Sequence, residues 1–533
     1  QLRLNNSSEI SVAATGNEGT AGGITIRTDQ LRLNNSSEIS VAATGNEGTA
    51  GAITVSARRA MLQNNSAITA ETTSGRGGRI VLRRRTPNGQ TVNMDSLQVF
   101  NSRISAQTAD GQAGSLIIRA NRVRIDDDNV AHDNNASLRR QLRAQGVLSV
   151  EATESGGSAG NLTLNARQVT VEDGARISAS NESSDGSNTG NVRLRGLETL
   201  VVNSSGEITA STSRGNAGSV IINADESVDI EENSRLAVEA NGEGGTAGDL
   251  SISTDDLSIR NGSEATVNSR GVAGTLTIGA DSIELDDGEI TAIAGTSNLG
   301  NINLDMKGTL LQLDNHSLIS AGAEAEGSGG DLIINAENGF VLANPYGNSD
   351  VLANASEGAG GDIGITTNAI WGLQERNPRT DLSDINAASE FSTGGSIALN
   401  TLNIDPTQGL TALPENVAPP NQIDQRCATG GGAGEQGEFV VSGRGGLPPN
   451  AEESLGSDAV QVDLVMAEND EAASNPPASL PEIDTADGAI VEAQGWVVDA
   501  NGNVVLIAAV PTATPIHSQS TLSCPSQQSV EQE

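Results

Sequence analysis

The chain has almost no aromatic side chains. Only seven of its 533 residues are Phe, Trp or Tyr, against 62 glycines, which excludes the large aromatic-centred core of an ordinary layered domain. Cysteine occurs twice, at Cys427 and Cys524. That permits a single disulfide and excludes a zinc site built on paired CxxC spacing. Lysine occurs once, at Lys307, so positive charge is carried by arginine. No run of 18 apolar residues exists, so no segment is expected to span a bilayer as a helix. Thirty basic residues face 68 acidic ones, a formal charge of −38, which repels nucleic acid and anionic membrane over most of the surface. Duplex or phosphate binding is therefore not expected. Gln1 is not an initiator Met and the sequence opens inside a pattern, so the 533 residues are expected to be a piece of something longer.

What is present is a repeat. The string QLRLNNSSEISVAATGNEGTAG at 1–22 recurs unchanged at 30–51, and a looser version of the skeleton continues to about residue 405. Its anchor is a glycine followed by G-x-[IVL]-x-[IVL] spacing, at Gly22, Gly51, Gly78, Gly114, Gly160, Gly190, Gly218, Gly248, Gly274, Gly300, Gly330, Gly361 and Gly395. Most intervals run from 26 to 34 residues; the two longer ones, 36 and 46, each hold a polar insertion.

Within a period the apolar residues alternate with the strand period of two. Leu162 and Leu164 mark a first short strand, Val169 and Val171 a second, Ile177 and Ala179 a third. Between the second and third lies a turn such as Asp173-Gly174, Asn261-Gly262 or Asp287-Gly288, where residues tolerant of positive φ are needed. Three strands of a few residues each cannot bury their apolar faces within one period, so successive periods must stack. The expected fold is all-β: a right-handed parallel β-helix of thirteen coils over 1–405. At ~4.8 Å per coil the stack is a rod of roughly 60 Å. Its narrow interior explains the scarcity of aromatics.

The residue after the anchor is usually small and polar, as at Ser115, Asn161, Asn191, Ser219, Asp249, Thr275, Asn301, Asp331, Asp362 and Ser396. Side chains in one register are expected to cap backbone groups at a bend; the sharper reading is a row of acids at Asp331 and Asp362 for a cation. The insertion DDDNVAHDNNASLRRQLRAQG at 126–146 is the other irregularity, with Asp126, Asp127, Asp128, His132 and Asp133 beside Arg139, Arg140 and Arg143. It reads as a solvated loop with its acidic half paired to a short basic helix, against a metal or acid–base cluster. Arg83, Arg84 and Arg85 read as a surface loop, His316 as a turn residue, and His517 as a residue without a suitable neighbour. Thr25, Thr54, Thr163 and Thr277 share one register, but Arg193, Ile221, Ser251, Asn303 and Ile333 occupy it elsewhere, too broken for an ice-binding ladder.

From residue 406 the composition changes. Twelve of fifteen prolines lie in 406–533, and 18 acidic against two basic residues give that region −16. It is expected to be an acidic, Pro-rich C-terminal region, with linker character over 451–481. Residues 438–442 read as ordered, as does a hairpin in which Asn501-Gly502 joins 496–498 to 504–507. Cys427 and Cys524 bracket both as candidates for a structural disulfide, worth up to ~4.7 kcal/mol for a loop of that size.

Blocks such as VTVEDGARISAS and TGNVRL resemble the β-helical shaft of filamentous-haemagglutinin-like exoproteins, the large partners of two-partner secretion. The tail strings EFVVSGRGGLPPN and EAQGWVVDANGNVVLIAA are similar to the C-terminal region of the cyanobacterial branch of that family. The resemblance implies export from a Gram-negative-type cell through an outer-membrane β-barrel partner and folding at or beyond the outer surface. It further implies adhesion to host or cell-surface ligands or to matrix polysaccharide or protein. The family's N-terminal secretion motifs are not found here; Thr86-Pro87-Asn88-Gly89 only grazes one of them. The functional expectation is a secreted, non-enzymatic, adhesin-like shaft without a cofactor, nucleic-acid partner or transmembrane segment. The alternative is a polysaccharide lyase or hydrolase, since parallel β-helices also host such enzymes.

Overall fold

The structure, a computed structural model, describes residues 1–402 apart from 17, 46, 128–145, 155, 183–188, 297–299 and 325, together with the backbone of 495–498 and 504–507. The chain divides into two compact units, Gln1–Val417 and Ala418–Glu533. In the second, Gly495–Val498 pairs antiparallel with Val504–Ile507, Gly495 opposite Ile507. The expected 405/406 boundary, the ordered piece at 438–442, the Asn501-Gly502 turn, Cys427, Cys524 and His517 lie outside the described residues.

The first unit is a right-handed parallel β-solenoid of about a dozen coils. That hand follows from the right-handed crossover that parallel strands strongly favour. Each coil contributes a stretch to each of three long parallel faces, and some strands, such as Leu276–Ala294, run through more than one of them. On the first face Ile24–Arg27, Ile53–Ser56 and Arg79–Arg85 lead a stack that ends at Ile397–Thr401. The second begins with Leu2–Asn5, Gln30–Asn34 and Arg59–Gln63, and the third with Glu9–Ala14, Glu38–Ala43 and Ala67–Thr72. The two identical coils pair residue for residue, Leu2 on Leu31 and Ile10 on Ile39.

Alternation puts every second strand residue inside. Leu162/Leu164, Val169/Val171 and Ile177/Ala179 of one coil are each 1% exposed or less, above and below like residues of its neighbours. Each fully buried aliphatic contributes ~1.5–3 kcal/mol before chain entropy is subtracted. The continuous core contains no aromatic residue among the described ones; Phe100 lies outside it, beneath Arg124 at 5.3 Å.

The anchor glycines lie one or two residues before the first strand of each coil. None of them has positive φ. Their requirement is close approach: at eleven of the thirteen positions, an added Cβ would run into the carbonyl oxygen of the preceding coil's anchor, as for Gly218 against Gly190. Gly300 instead faces the Ala292 carbonyl. The column also lies against an inward residue of the third face, Val12 beside Gly22, Ala70 beside Gly78 and Val150 beside Gly160.

The turn between second and third strands carries the left-handed backbone, with φ of 54° and 58° at Asn35 and Ser36, 57° at Asp173 and 55° at Asn261. Consecutive turns are joined by side chains, as where Asn35 Nδ2 donates to Asn6 Oδ1 (3.1 Å) and Asn64 Nδ2 to Asn35 Oδ1 (3.1 Å). An amide at this site both tolerates the conformation and bridges to the next coil.

Candidate functional site

The post-anchor register is a capping ladder. Asn191 N–H donates to Asn161 Oδ1 (2.9 Å), Ser219 N–H to Asn191 Oδ1 (2.8 Å), and Thr275 N–H to Asp249 Oδ1 (2.9 Å). Each side-chain oxygen satisfies the backbone of the coil above at a corner where the strands start. Of the two acids, Asp362 obeys the same rule with its carboxylate, while Asp331 enters the ladder through its backbone N–H. Asp331 N–H donates to Asn301 Oδ1 (2.9 Å), and Asp362 Oδ1 accepts from both the N–H and the hydroxyl of Ser396 (2.8 Å each). The backbone and then the hydroxyl of Ser396 hold the Asp362 carboxyl below the usual carboxylate range. Among the described residues no three His, Cys, Asp or Glu side chains form a group able to hold a metal ion.

A second ladder escaped the sequence reading. The serine just before the third strand is buried in coil after coil, with Ser37, Ser66, Ser102, Ser234, Ser263, Ser317, Ser349 and Ser383 all 2% exposed or less. Its hydroxyl closes its own turn, Ser66 Oγ donating to Gln63 O (2.7 Å), and accepts from the coil below, Ser234 N–H donating to Ser263 Oγ (3.1 Å). The signal was present in the recurrent NNSSEI, NNSAI, NSRL and NHSLI strings, hidden by their resemblance to generic turn composition.

At the 126–146 insertion, Asp126 and Asp127 are buried at 8% and 0% exposure, and Arg124 Nη2 lies 3.2 Å from Asp126. Asp128, His132, Asp133, Arg139, Arg140 and Arg143 fall outside the described residues. His316 is a turn residue, with φ of 64° and its N–H donating to Gly347 O (2.7 Å). The arginine run at 83–85 is not a loop. It ends the strand Arg79–Arg85, which folds back as a hairpin on Thr91–Val92, with Thr91 opposite Arg85 and Gly89 at φ 80° closing the tip. The 36-residue interval is lengthened by regular structure because Arg84 and Arg85 find backbone partners in Val92 and Thr91.

Near the other end a buried ion cluster occupies the start of the third face. Asp350 and Asp384 are both 0% exposed; Arg379 Nη2 reaches Asp350 Oδ2 at 2.6 Å, and Arg376 pairs with Asp384. Asp384 N–H donates to Asp350 Oδ1 (2.9 Å), linking the two coils. Burial raises the Asp350 carboxyl above the usual range. For Asp384 burial acts the same way, but Arg376 and Thr380 outweigh it and the group lies below that range. Nothing in the local sequence announced this cluster, since its arginines come from an excursion after Trp371 that the repeat does not predict.

The interior is closed and the exterior is polar, with a few exposed apolar side chains in the last coils, among them Tyr346 (83%) and Trp371 (57%), the latter stacked on Phe340 at 5.5 Å. No helix among the described residues is long and apolar enough to cross a membrane. What fold and surface define is a repetitive β-solenoid scaffold, with its chemistry on the outside of the coils. No family model matches the chain, and neither a curated protein nor a solved structure matches it.

Proposed function

We propose that the chain is a non-enzymatic adhesive shaft, secreted or displayed at the outer surface of a Gram-negative-type cell, that holds contact-forming side chains away from their anchorage. The observation that supports this reading is the continuous parallel ladder of its three faces. Backbone hydrogen bonds join each coil to its neighbours, which makes the stack stiff along its axis and leaves specificity to side chains and excursions on the exterior. The likeness of the coil and tail strings to filamentous-haemagglutinin-like exoproteins favours delivery through an outer-membrane β-barrel partner. It also favours ligands among cell-surface or matrix polysaccharides and proteins.

Beads coated with the purified chain are expected to stay on cells or extracted matrix under flow that removes uncoated beads. Retention equal to that of uncoated beads would remove the adhesive reading. Release of new chain ends from uronic-acid polymers, abolished by substituting Asp126 and Asp127, would replace it with the enzymatic one.

A further inference from the structure

The charge of −38 is unevenly placed. Residues 1–124 hold 14 arginines against 8 acids, a net of +6, inside a chain whose remainder is −44. Only Arg58, Arg59, Arg84 and Arg124 of those fourteen form ion pairs among the described residues. The other ten form none among the described residues.

Register gathers many of them at one corner. On the outward side of the second face, Arg3 stacks on Arg32, Arg32 on Met61, Gln98 on Arg124, and Arg59 and Arg122 flank Ser96. The single strand Ser115–Asp126 runs round the corner and exposes Arg119, Arg122 and Arg124. The first face adds Arg79 and Arg83, with the hairpin beside them carrying Arg85. Burial and then the neighbouring guanidiniums of Arg85, Arg119 and Arg79 hold Arg83 below the ordinary arginine value, with no acid among these influences.

A groove of about 260 Å³ lies in this belt, with Arg32, Arg59 and Arg122 on its walls beside Gln30, Gln98 and Ser96. That is near the lower end of ligand-sized sites, ~300 Å³. Its one acid, Asp95, is already engaged by Arg58 (3.1 Å) and Arg84 (3.4 Å). Guanidinium forks present paired donors that match a carboxylate, and the amides and hydroxyl beside them suit sugar hydroxyls.

We infer that this arginine-lined corner of the first five coils binds an acidic polysaccharide, a chain of uronic-acid rings laid along the rod axis. Coils repeat every ~4.8 Å, comparable to the one carboxylate per ring of an extended polyuronate, so several rings meet arginines at once. The acidic coils beyond repel the same polymer and confine it to this end. Single-stranded nucleic acid is disfavoured because the belt has no open aromatic platform: Phe100 is covered by Arg124.

This inference rests on the adhesive reading and names the ligand class. Its test is affinity electrophoresis and calorimetry of the whole chain with polygalacturonate in EDTA, against dextran and duplex DNA. Polygalacturonate is expected to bind at low salt and weaken steeply as salt rises. R32Q/R59Q/R122Q is expected to bind at least tenfold more weakly with an unchanged melting temperature, while R214Q/R270Q, in later coils, binds as the parent does. No binding by the parent chain, equal binding by the triple variant, equal affinity for dextran, or tighter binding of DNA would each overturn it. So would salt-sensitive dimers in sedimentation without polysaccharide binding. Beads coated with the triple variant that stay on cells as well as the parent's would sink this site and leave the adhesive shaft standing, whereas loss of retention by the parent itself would sink the shaft.

Discussion

A single methyl group separates the anchor glycine from the residue that would break the stack. Gly218 has no positive φ, yet an added Cβ would press on the Gly190 carbonyl, and a backbone group cannot rotate away as a side chain could. Gly218→Ala is expected to cost about 1–3 kcal/mol, read as a drop in the melting midpoint. Gly364 is the internal control. It lies on the outward side of the first face with nothing within 4 Å of its Cβ position, so Gly364→Ala is expected to be neutral or stabilising by about 0.4–1 kcal/mol. Ser263 tests the hidden ladder in the same way. Its hydroxyl accepts from Ser234 N–H at 3.1 Å, and Ser263→Ala would leave that buried donor unpaired at about 1–3 kcal/mol.

At the level of the strand, the coils differ in what starts the third face, and that decides how each responds to acid. Asp384 has a lowered carboxyl pKa, through Arg376 and Thr380 against the cost of burial. Its contribution is therefore complete above the unfolded carboxylate value of about 4 and is lost as pH falls through its lower folded value. Asp350 is raised by burial, so its cost to stability grows as pH rises from about 4 through its folded value and is absent below. Asp384→Asn is expected to lose about 1.5–3 kcal/mol at pH 7, to flatten the fall in stability below about pH 4, and to raise hydrogen exchange over 374–386. An unchanged acid profile would show that the pair does not hold these coils. The strands themselves were legible in the sequence, because Leu162/Leu164 and their equivalents alternate where only a two-residue period can place them. The hairpin at Arg79–Arg85 and the Asp350–Asp384 cluster were not, since the first pairs residues inside a single insertion and the second joins acids of two coils to arginines of an excursion.

For the solenoid as a whole, stability is a sum of nearest-neighbour terms, so removing one unit is expected to leave the rest intact. Deleting residues 30–58 joins the first coil to the third in the register that the second now occupies, because Leu2, Leu31 and Ala60 form one column. The shortened protein is expected to melt within a few degrees of the parent, with a scattering-derived length reduced by ~5 Å; collapse to an unfolded profile would show that coils are not interchangeable. The whole-molecule pattern was readable because repetition averages out local ambiguity. The arginine corner was not, because Arg32, Arg59 and Arg122 lie far apart in the chain and only coil-on-coil register brings them to one groove.

The two coils identical over 22 residues stack as well as those that have diverged. Recombination between neighbouring copies in the gene therefore adds or removes a full rung without a frameshift in the architecture. Length along the axis becomes a quantity that a lineage adjusts by copy number, one coil's exterior at a time.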